Sequence, residues 1–391
     1  MTLPSPLPAA RRLEDIAPFH VVELLTRARE LEAEGRDIIH MEVGEPDFPT
    51  PAPIAEAAIA AIRDGKTLYT PALGLPELRA AIAGFYRERY GVTIAPQRIV
   101  VTSGASGALN LAFACLANPG SEWLLTDPGY PCNRHILRTY EGRAQALAVG
   151  PDSNFQPTAA QVDAAWGPRT AGLLVASPAN PTGTLLSQGE LQALADCVRR
   201  HGGHFLVDEI YHGLTYECDA PTACTVGDDL WVINSFSKYF QMTGWRLGWM
   251  VVPERHVRDV EILAQNPTLC PPTVAQYAAL AAFTPETIAL LEARRQEFRQ
   301  RRDFLAPALE ALGLRVTARP EGAFYLYCDC SALAPDSFAL ARDLLEKAGV
   351  AATPGLDFGH HAPEKHIRFA YTTGIPRLEE AVARLRTYFG R

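Results

Sequence analysis

The central part of the chain alternates short apolar runs with longer segments of helical spacing. The apolar runs predict strands, most of which end in glycine or polar turns: RIVV (98–101), EWLL (122–125), GLLVA (172–176), HFLV (204–207), LWVI (230–233) and GWMVV (248–252). Intervening segments such as residues 108–117 and 191–202 have the apolar spacing of helices. Buried strands that alternate with helices indicate an α/β fold with a mainly parallel sheet and helices on both faces.

The two ends of the chain have a different pattern. Residues 19–34 are predicted to form a helix from the spacing of four apolar residues: Val22, Leu25, Ala28 and Leu31. Pro76 is expected in the first turn of a later helix. After a long helical stretch at 284–312, the C-terminal part reads as a hairpin-like strand pair (314–330), a helix, the strand HIRFA (366–370) and a closing helix. This order indicates a separate, smaller α+β unit.

Length and composition place the chain among ordinary globular proteins. Its 391 residues exceed what one hydrophobic core usually supports, so two domains are expected. The Pro/Ala-rich residues 1–13 are predicted to be a loose arm. The net charge of −8 provides no basic footprint for nucleic acid. The densest basic run, RRQEFRQRR (294–302), mixes Glu and Phe at helical spacing and is predicted to be a solvated helix face.

Targeting, membrane and metal signals are weak. The N-terminus lacks the apolar core of a signal peptide, and no stretch approaches the roughly 18 apolar residues of a membrane span, so a cytoplasmic protein without membrane contact is predicted. Of the eight cysteines, Cys328 and Cys330 form the single close pair, and we predict reduced thiols rather than disulfides or a zinc site. His360, His361 and His366 lie beside glycine and proline, so a loop is a simpler interpretation than a metal site.

The stretch NSFSKYFQMTGWRLGW (234–249) carries the strongest chemical signal. Lys238 is surrounded by aromatic residues, and burial would favour its neutral, nucleophilic amine. The hydroxyls of Ser235 and Ser237 with the forked guanidinium of Arg246 would suit a phosphate. A carbonyl cofactor that carries a phosphate needs both a nucleophilic amine and a phosphate-binding group, side by side. The alternative interpretation is a surface loop with one lysine and one arginine.

Further polar or small residues follow the predicted strands. Open α/β sheets bind ligands at the carboxyl ends of their strands, and five candidates fall there: Gly104, Tyr130, Asn180, Asp208 and Lys238. The turn at 101–108 opens a helix, whose free N–H groups could hold an anion, although small residues also serve packing there. A dinucleotide site is less favoured because GxGxxG is absent. Arg368 lies inside an apolar strand, so it needs an anionic partner, which could be a structural acid or a ligand.

The pattern S-x-S-K-x4-T-G-x-R-x-G at 235–248 resembles the cofactor-lysine signature of the class I and II aminotransferases, the fold-type I enzymes that use pyridoxal 5′-phosphate (PLP). The resemblance extends from about Pro18 to Tyr388, with the motifs in the family's order. It implies a large PLP-binding domain at 48–283, which contains a mainly parallel seven-stranded sheet flanked by helices. A smaller α+β domain would comprise 14–47 and 284–391, with 1–13 as the N-terminal arm.

The resemblance also assigns roles to residues. Lys238 would hold PLP as a Schiff base and act as base and then acid, Asp208 would pair with the pyridine nitrogen, and Tyr211 would join Asn180 at the phenolic oxygen. Tyr130 would stack on the ring. The cofactor phosphate would be bound by Ala105, Ser106, Ser235, Ser237 and Arg246. The substrate α-carboxylate would be bound by Arg368, with Gly44 and Asn180 beside it. Tyr69 would reach the phosphate of the neighbouring subunit, which implies a homodimer with shared active sites.

The predicted function is transfer of an amino group from an L-amino acid to a 2-oxo acid. A C–S or β-elimination lyase, or a related synthase, is an alternative on the same fold. A remoter alternative is the PLP-binding, effector-sensing half of a transcription regulator, which would need a DNA-binding domain ahead of it. The phosphate turn contains no lysine of the kind that meets a second substrate carboxylate in one aspartate-type branch. This absence favours a neutral aliphatic or aromatic amino donor.

Overall fold

A computed structural model describes residues 9–391 of the protein. Its helices are α1 (His20–Ala33), α2 (Ala52–Arg63), α3 (Pro76–Tyr90), α4 (Gly104–Leu116), α5 (Pro131–Thr139), α6 (Ala159–Ala165), α7 (Gln188–Arg200), α8 (Val257–Gln265), α9 (Thr273–Leu280), α10 (Pro285–Ala311), α11 (Ser337–Asp343) and α12 (Ile375–Phe389). Pro76 begins α3, where its missing N–H is not needed, and Gly91 ends that helix in the left-handed conformation. The expected position of Pro76 is therefore confirmed.

The strands form one large sheet and two smaller pairings. They are β1 (Ile39–His40), β2 (Ile99–Thr102), β3 (Glu122–Asp127), β4 (Arg143–Ala148), β5 (Thr170–Ala176), β6 (His204–Asp208), β7 (Trp231–Ser235), β8 (Gly248–Val251), β9 (Arg315–Val316), β10 (Tyr325–Asp329), β11 (Val350–Ala351), β12 (Thr353–Pro354) and β13 (His366–Ala370). The large sheet has seven strands in the order β2-β8-β7-β6-β5-β3-β4. Strand β8 is antiparallel to both of its neighbours, and the other pairs are parallel.

The predicted α/β fold with a mainly parallel seven-stranded sheet is confirmed. The sequence pattern missed one strand, β4, whose residues RAQALA lie at the sheet edge and are mostly exposed. An edge strand that faces solvent lacks the continuous apolar run that marks a central parallel strand.

Both faces of the large sheet are buried. Alternate residues along each strand point to opposite faces. In β5, Leu173 and Val175 belong to the larger core, and Leu174 belongs to a second core on the other face, which also contains residues of α4. This arrangement leaves the carboxyl edge of the sheet as the place where polar side chains can meet.

A second, four-stranded sheet has the order β12-β13-β10-β9 and is antiparallel. Strand β1, near the N-terminus, pairs in parallel with β11 near the C-terminus. These pairings agree with the idea that the N-terminal helix region and the C-terminal part form one unit. The boundaries 14–47 with 284–391, and 48–283, stay a prediction.

The basic run at 294–302 differs from its prediction. Arg301 and Arg302 are buried instead of solvated. Arg301 donates to Asp47 and packs on the ring of Phe48, and Arg302 pairs with Glu217. The prediction was wrong because these partners come from loops that are distant in sequence, so the helical spacing alone did not reveal them.

Other expectations concern the N-terminus, the cysteines and the histidines. Residues 1–8 of the predicted arm lie outside the described residues, and Arg12 Nη1 donates to the carbonyl of Thr139 at 2.8 Å. All eight cysteines are free thiols, as predicted. His360 and His361 lie in a loop and donate their backbone N–H groups to Asp127.

Within residues 9–391, no single helix is long and apolar enough to cross a membrane. One bent pair, Thr273–Phe283 with Pro285–Ala311, meets that criterion only when its two parts are joined across an 82° bend. The cytoplasmic location stays a prediction.

Candidate active site

A cavity of about 380 Å³ lies at the carboxyl ends of the strands in the large sheet. Except for Tyr69, all of the residues to which the resemblance gave a role line it: Gly44, Ala105, Ser106, Tyr130, Asn180, Asp208, Tyr211, Ser235, Ser237, Lys238, Arg246 and Arg368. The strand-end candidate Gly104 begins α4 and does not line the cavity itself. Parallel strands end at one edge of a sheet, which brings together residues that are far apart in the chain. The size suits a small-molecule ligand.

Lys238 lies in the turn after β7, and its Nζ donates to the carbonyl oxygen of Gly44 at 2.6 Å. The rings of Tyr211 and Phe324 lie within 6 Å of the same nitrogen, at 5.9 and 5.8 Å. Burial, together with the positive charges of Arg368 and Arg246, lowers the pKa of Lys238 to about 8, against the opposite effects of Glu45 and Asp208. About a tenth of this amine is therefore neutral at pH 7, far more than for an ordinary lysine, and this form can attack a carbonyl carbon.

Asp208 ends β6 beneath the cavity and is buried. Among the described residues its carboxylate accepts one hydrogen bond, from the backbone N–H of Ile210 at 3.1 Å. Burial raises the pKa of Asp208 to about 7, against the opposite effects of that hydrogen bond and of Lys238. A buried carboxylate with so few donors is suited to a cationic group on a ligand, which would keep it ionised.

The neighbouring acid, Glu209, is satisfied by the fold. Its carboxylate accepts hydrogen bonds from the hydroxyl of Thr222 and from the backbone N–H of Ala223. Burial raises the pKa of Glu209 to about 8 in spite of these donors. Glu209 does not line the cavity, so its contacts assign it to the structure of the turn.

An anion cradle lies where α4 begins. Gly104 has φ +75°, and a Cβ there would lie 2.8 Å from Nη2 of Arg246, so a side chain would displace the guanidinium. Ser103, at the N-cap position, makes no side-chain cap hydrogen bond, which leaves the first N–H groups around Ala105 and Ser106 available. Free N–H groups at a helix N-terminus with an adjacent guanidinium make a site suited to a phosphate.

The two serines of the cradle have different surroundings. Ser235 Oγ lies 3.0 Å from Ser237 Oγ and 3.2 Å from the carbonyl oxygen of Leu247. The Ser235 proton is therefore used inside the turn. The Ser237 hydroxyl, which accepts from Ser235, is the one left to donate to an anion.

Arg368, in β13, is a buried cation with neutral partners. Its Nη1 donates to Asn180 Oδ1 at 2.8 Å, and its Nη2 donates to the carbonyl oxygen of Glu42 at 2.5 Å and to Thr353 Oγ1 at 3.2 Å. Its Nε has no partner within residues 9–391, and its guanidinium forms no ion pair within 4.0 Å with a carboxylate of those residues. The anionic partner that the sequence required is therefore absent from the described fold, so the guanidinium is suited to a ligand carboxylate.

Gly44 and Tyr325 shape the cavity next to Arg368. A Cβ at position 44 would overlap the hydroxyl of Tyr325, so a side chain there would displace the Tyr325 ring. Tyr325 Oη lies 2.9 Å from Tyr211 Oη, and the Tyr325 ring lies 4.2 Å from Cζ of Arg368. Sequence reasoning missed Tyr325 because an aromatic residue in an apolar strand is more often part of the core.

The first turn of α1 also reaches the cavity. Phe19, Val21, Val22 and Leu25 line it, whereas Leu24, Ala28 and Leu31 form the buried face of the helix. The spacing that predicted α1 grouped Val22 and Leu25 with Ala28 and Leu31. That grouping was wrong for Val22, which is 53% exposed.

Tyr69 stands apart from the other predicted residues. It lies in the loop before α3, is 82% exposed and does not line the cavity of its own chain.

The donor set of the cavity fits PLP. The cradle of N–H groups and Arg246 matches a phosphate, the under-bonded Asp208 matches a protonated pyridine nitrogen, and the partly neutral Lys238 matches an aldehyde. These three groups line one cavity, and Arg368, which lines the same cavity, remains available to bind a carboxylate.

Known proteins resemble this chain along nearly its whole length. The sequence model of the family "Aminotransferase class I and II" matches residues 36–385. A valine–pyruvate aminotransferase of Mycobacterium tuberculosis is 38% identical over 375 residues, which are 95% of this chain and 96% of that protein. An aspartate/prephenate aminotransferase of Thermus thermophilus is 37% identical over 385 residues, which are 98% of this chain and 99% of that protein.

Solved structures agree in fold. An aminotransferase from Mycobacterium tuberculosis superposes with a TM-score of 0.95 at 38% identity and covers 98% of this chain and 100% of that one. Aspartate aminotransferase from Thermus thermophilus with maleate gives a TM-score of 0.92 at 36% identity, with 97% of this chain and 99% of that chain covered. The chain therefore belongs to the class I and II aminotransferases, the PLP-dependent enzymes of fold type I, as its motifs predicted.

Proposed function

We propose that this aminotransferase binds PLP at Lys238 and moves an amino group from an L-amino acid, held by Arg368, to a 2-oxo acid. The observation that carries the proposal is one cavity that contains a lysine with a lowered pKa, a buried acid with a single hydrogen bond among the described residues, and a buried arginine without a carboxylate partner within residues 9–391. When bound, PLP supplies the aldehyde that captures the amine and the ring that accepts the electron pair from Cα.

The substrate would be oriented by Arg368. Two N–H groups of one guanidinium can bind both oxygens of an α-carboxylate, and this fixes the direction of the Cα–H bond. Asn180, which accepts from Nη1 at 2.8 Å, holds the guanidinium in place, and the backbone at Gly44 leaves room for the carboxylate. Lys238 Nζ would then take the proton from Cα and later return one, as a base and then as an acid.

The remaining residues would hold the cofactor. Asp208 would pair with the pyridine nitrogen and keep it protonated, Tyr130 would stack on the ring, and Asn180 with Tyr211 would bind the phenolic oxygen. The phosphate would be bound by residues of the cradle: Ala105, Ser106, Ser235, Ser237 and Arg246. The short distance from Ser235 to Ser237 favours Ser237 as the stronger phosphate donor of the two.

We also propose that the protein is a homodimer in which Tyr69 completes the neighbour's phosphate site. Support comes from the exposure of Tyr69, 82%, and of its neighbour Leu68, 80%. Exposed apolar side chains that adjoin one another are typical of surfaces covered by a partner. A protein that is a monomer in solution, with Tyr69 exposed, and that still binds the cofactor phosphate would contradict this arrangement.

Absorption spectroscopy of Lys238→Ala tests the cofactor assignment. The wild type, loaded with PLP and freed of excess, should absorb in the visible range and lose that band when amino acids are added. Lys238→Ala should lose at least about 10³-fold in turnover, because base catalysis and cofactor attachment are both removed. Lys347→Ala, which removes a surface lysine that pairs with Asp343, is the control and should behave as the wild type.

Product analysis of the same samples separates transfer from elimination. An oxo acid paired with a new amino acid supports transfer, and ammonia with pyruvate would support the lyase alternative. Near-wild-type transfer by Lys238→Ala would show that the assignment of Lys238 is wrong.

A further inference from the structure

The start of helix α1 is held by an acid that is far away in the sequence. The backbone N–H groups of His20 and Val21 donate to Oδ1 and Oδ2 of Asp357 at 2.7 and 2.8 Å. Phe19, at the N-cap position, supplies no side-chain hydrogen bond of its own. Asp357 is buried and lines the cavity, so one carboxylate both caps the helix and belongs to the cavity wall.

The capped turn presents apolar side chains to the cavity. Phe19, Val21, Val22 and Leu25 line it; Val22 is exposed and the other three are partly buried. These four side chains are called the apolar wall below. The core contacts of the helix are made by other residues, Leu24, Ala28 and Leu31. The apolar wall therefore lies outside the buried face of α1, and burying it against a ligand would be favourable.

This wall lies beside the arginine that would bind the substrate carboxylate. Thr353 Oγ1 accepts from Arg368 Nη2 at 3.2 Å, and the ring of Phe358 lies 4.9 Å from Arg368 Cζ. Asp357 lies between these two residues in the chain, so the segment 353–358 contacts both Arg368 and the start of α1. A carboxylate held by Arg368 thus places the rest of the substrate next to this segment.

The charges of the cavity disfavour a second substrate carboxylate. The cations that line it are Lys238, Arg246 and Arg368, and the proposed function uses all three. The acids that line it are Glu42, Asp208 and Asp357. Among residues 9–391 of one chain, no further cation lines this cavity to meet a side-chain carboxylate, and desolvating that carboxylate would be unfavourable.

We propose that Asp357 is a positioning residue that docks helix α1 on the cavity, and that the docked turn selects amino donors with neutral, apolar side chains. The inference rests on the proposed function and adds a substrate class to it. Val21, which donates its N–H to Asp357 and lines the cavity, joins the cap to the selecting wall. Loss of the cap should loosen the apolar wall. Binding of donors with larger apolar side chains should then weaken more than binding of alanine.

The test compares donors in the first half-reaction, followed as the loss of PLP absorbance, with L-valine, L-phenylalanine, L-alanine and L-aspartate. The wild type should prefer valine and phenylalanine to aspartate by at least about tenfold in rate constant over half-saturation concentration. Asp357→Asn should raise the half-saturation concentration for valine and phenylalanine about tenfold, with changes for alanine and in maximal rates within about threefold.

Two further variants separate selection from general damage. Asp336→Asn removes a matched cap, because Asp336 accepts from the N–H groups of Phe338 and Ala339 at 3.1 Å at the start of α11, outside the cavity. It should leave the donor preference unchanged. Val21→Ala keeps the backbone N–H that Asp357 accepts but shortens the side chain that lines the cavity. It should weaken the binding of valine and phenylalanine more than the binding of alanine.

Two measurements need no turnover. Hydrogen exchange at residues 20–24 of the PLP-free protein should accelerate in Asp357→Asn and not in Asp336→Asn. Calorimetric titration of the PLP-loaded wild type should show tighter binding of 3-methylbutanoate than of succinate.

Three outcomes would each overturn the inference. They are a wild type that prefers aspartate, an Asp357→Asn variant in which binding of alanine and valine weakens equally, and unchanged hydrogen exchange at residues 20–24 of that variant. A protein that shows no PLP band, or reacts with no donor, would instead contradict the proposed function, so the two failures are distinguishable.

Discussion

Two buried arginines occupy regions with opposite surroundings. Arg302, in α10, donates to the carboxylate of Glu217 at 2.8 Å and lies over the ring of Tyr216. Arg368, in the cavity, also lies over a tyrosine ring but donates to an amide oxygen, a carbonyl oxygen and a hydroxyl. Arg302 is paired with an acid of the fold, whereas Arg368 has no carboxylate partner in the described part of the chain.

The difference shows how a buried charge can be divided between stability and function. Burying a guanidinium is unfavourable unless an anion compensates it, and removal of one partner of a buried pair is strongly destabilising. Arg302 has its anion inside the chain, so its loss should appear in stability. Arg368 is compensated only when a ligand brings an anion, so its loss should appear in catalysis.

The largest effect is expected for Arg368→Met, which removes the guanidinium and keeps an apolar stem. Loss of a desolvated charge contact with substrate should cost roughly 2–5 kcal/mol, or about 30- to 4,000-fold in kcat/KM. The melting temperature should change little. Steady-state kinetics of the PLP-loaded protein gives kcat/KM, and thermal unfolding gives the melting temperature. A large loss of stability with normal kcat/KM would contradict the ligand-binding role of Arg368.

Arg302→Met should have the reverse effect. We expect a loss of about 1–3 kcal/mol in unfolding free energy, less than for a fully buried pair because Glu217 is partly exposed. The kcat/KM per folded molecule should stay within about threefold of the wild type, since Arg302 does not line the cavity. Denaturant unfolding gives the first quantity, and kinetics at low temperature gives the second. A variant as stable as the wild type would refute the role given to Arg302.

The smallest effect concerns pH. The pKa of Lys238 is about 8, and the charge of Arg368 contributes to lowering it. Capture of PLP by the PLP-free protein needs the neutral amine, so its rate should rise with pH to a midpoint near 8 and level off above it.

Arg368→Met removes a nearby positive charge, so it should move that midpoint to higher pH, whereas Arg302→Met should leave it unchanged. Stopped-flow absorbance with added PLP gives the profiles. A midpoint that moves down in Arg368→Met would contradict the sign of this coupling.

Much of the site could be predicted before the fold was known. Lys238, Asp208 and Asn180 each follow an apolar run that predicts a buried strand, and parallel strands bring their carboxyl ends to one edge. Such residues can be recognised locally as candidates, but position alone does not separate function from structure, because Glu209 also follows a buried strand and is used by its turn. The same logic does not reach Tyr325, which lies within an apolar strand and looks like core.

The sequence by itself determined the α/β fold, the edge of the sheet that carries the site and the residues that chemistry would need there. Only the tertiary structure decided which charges are already compensated. The residues that flank Arg302 and Arg368 in the sequence do not show which of the two has an acidic partner. Glu217 is 85 residues from Arg302, and the cap of α1 joins His20 to Asp357 across 337 residues. Such partners are selected by three-dimensional proximity, which local spacing does not encode, so the division between stabilising and ligand-binding charges becomes visible only in the folded chain.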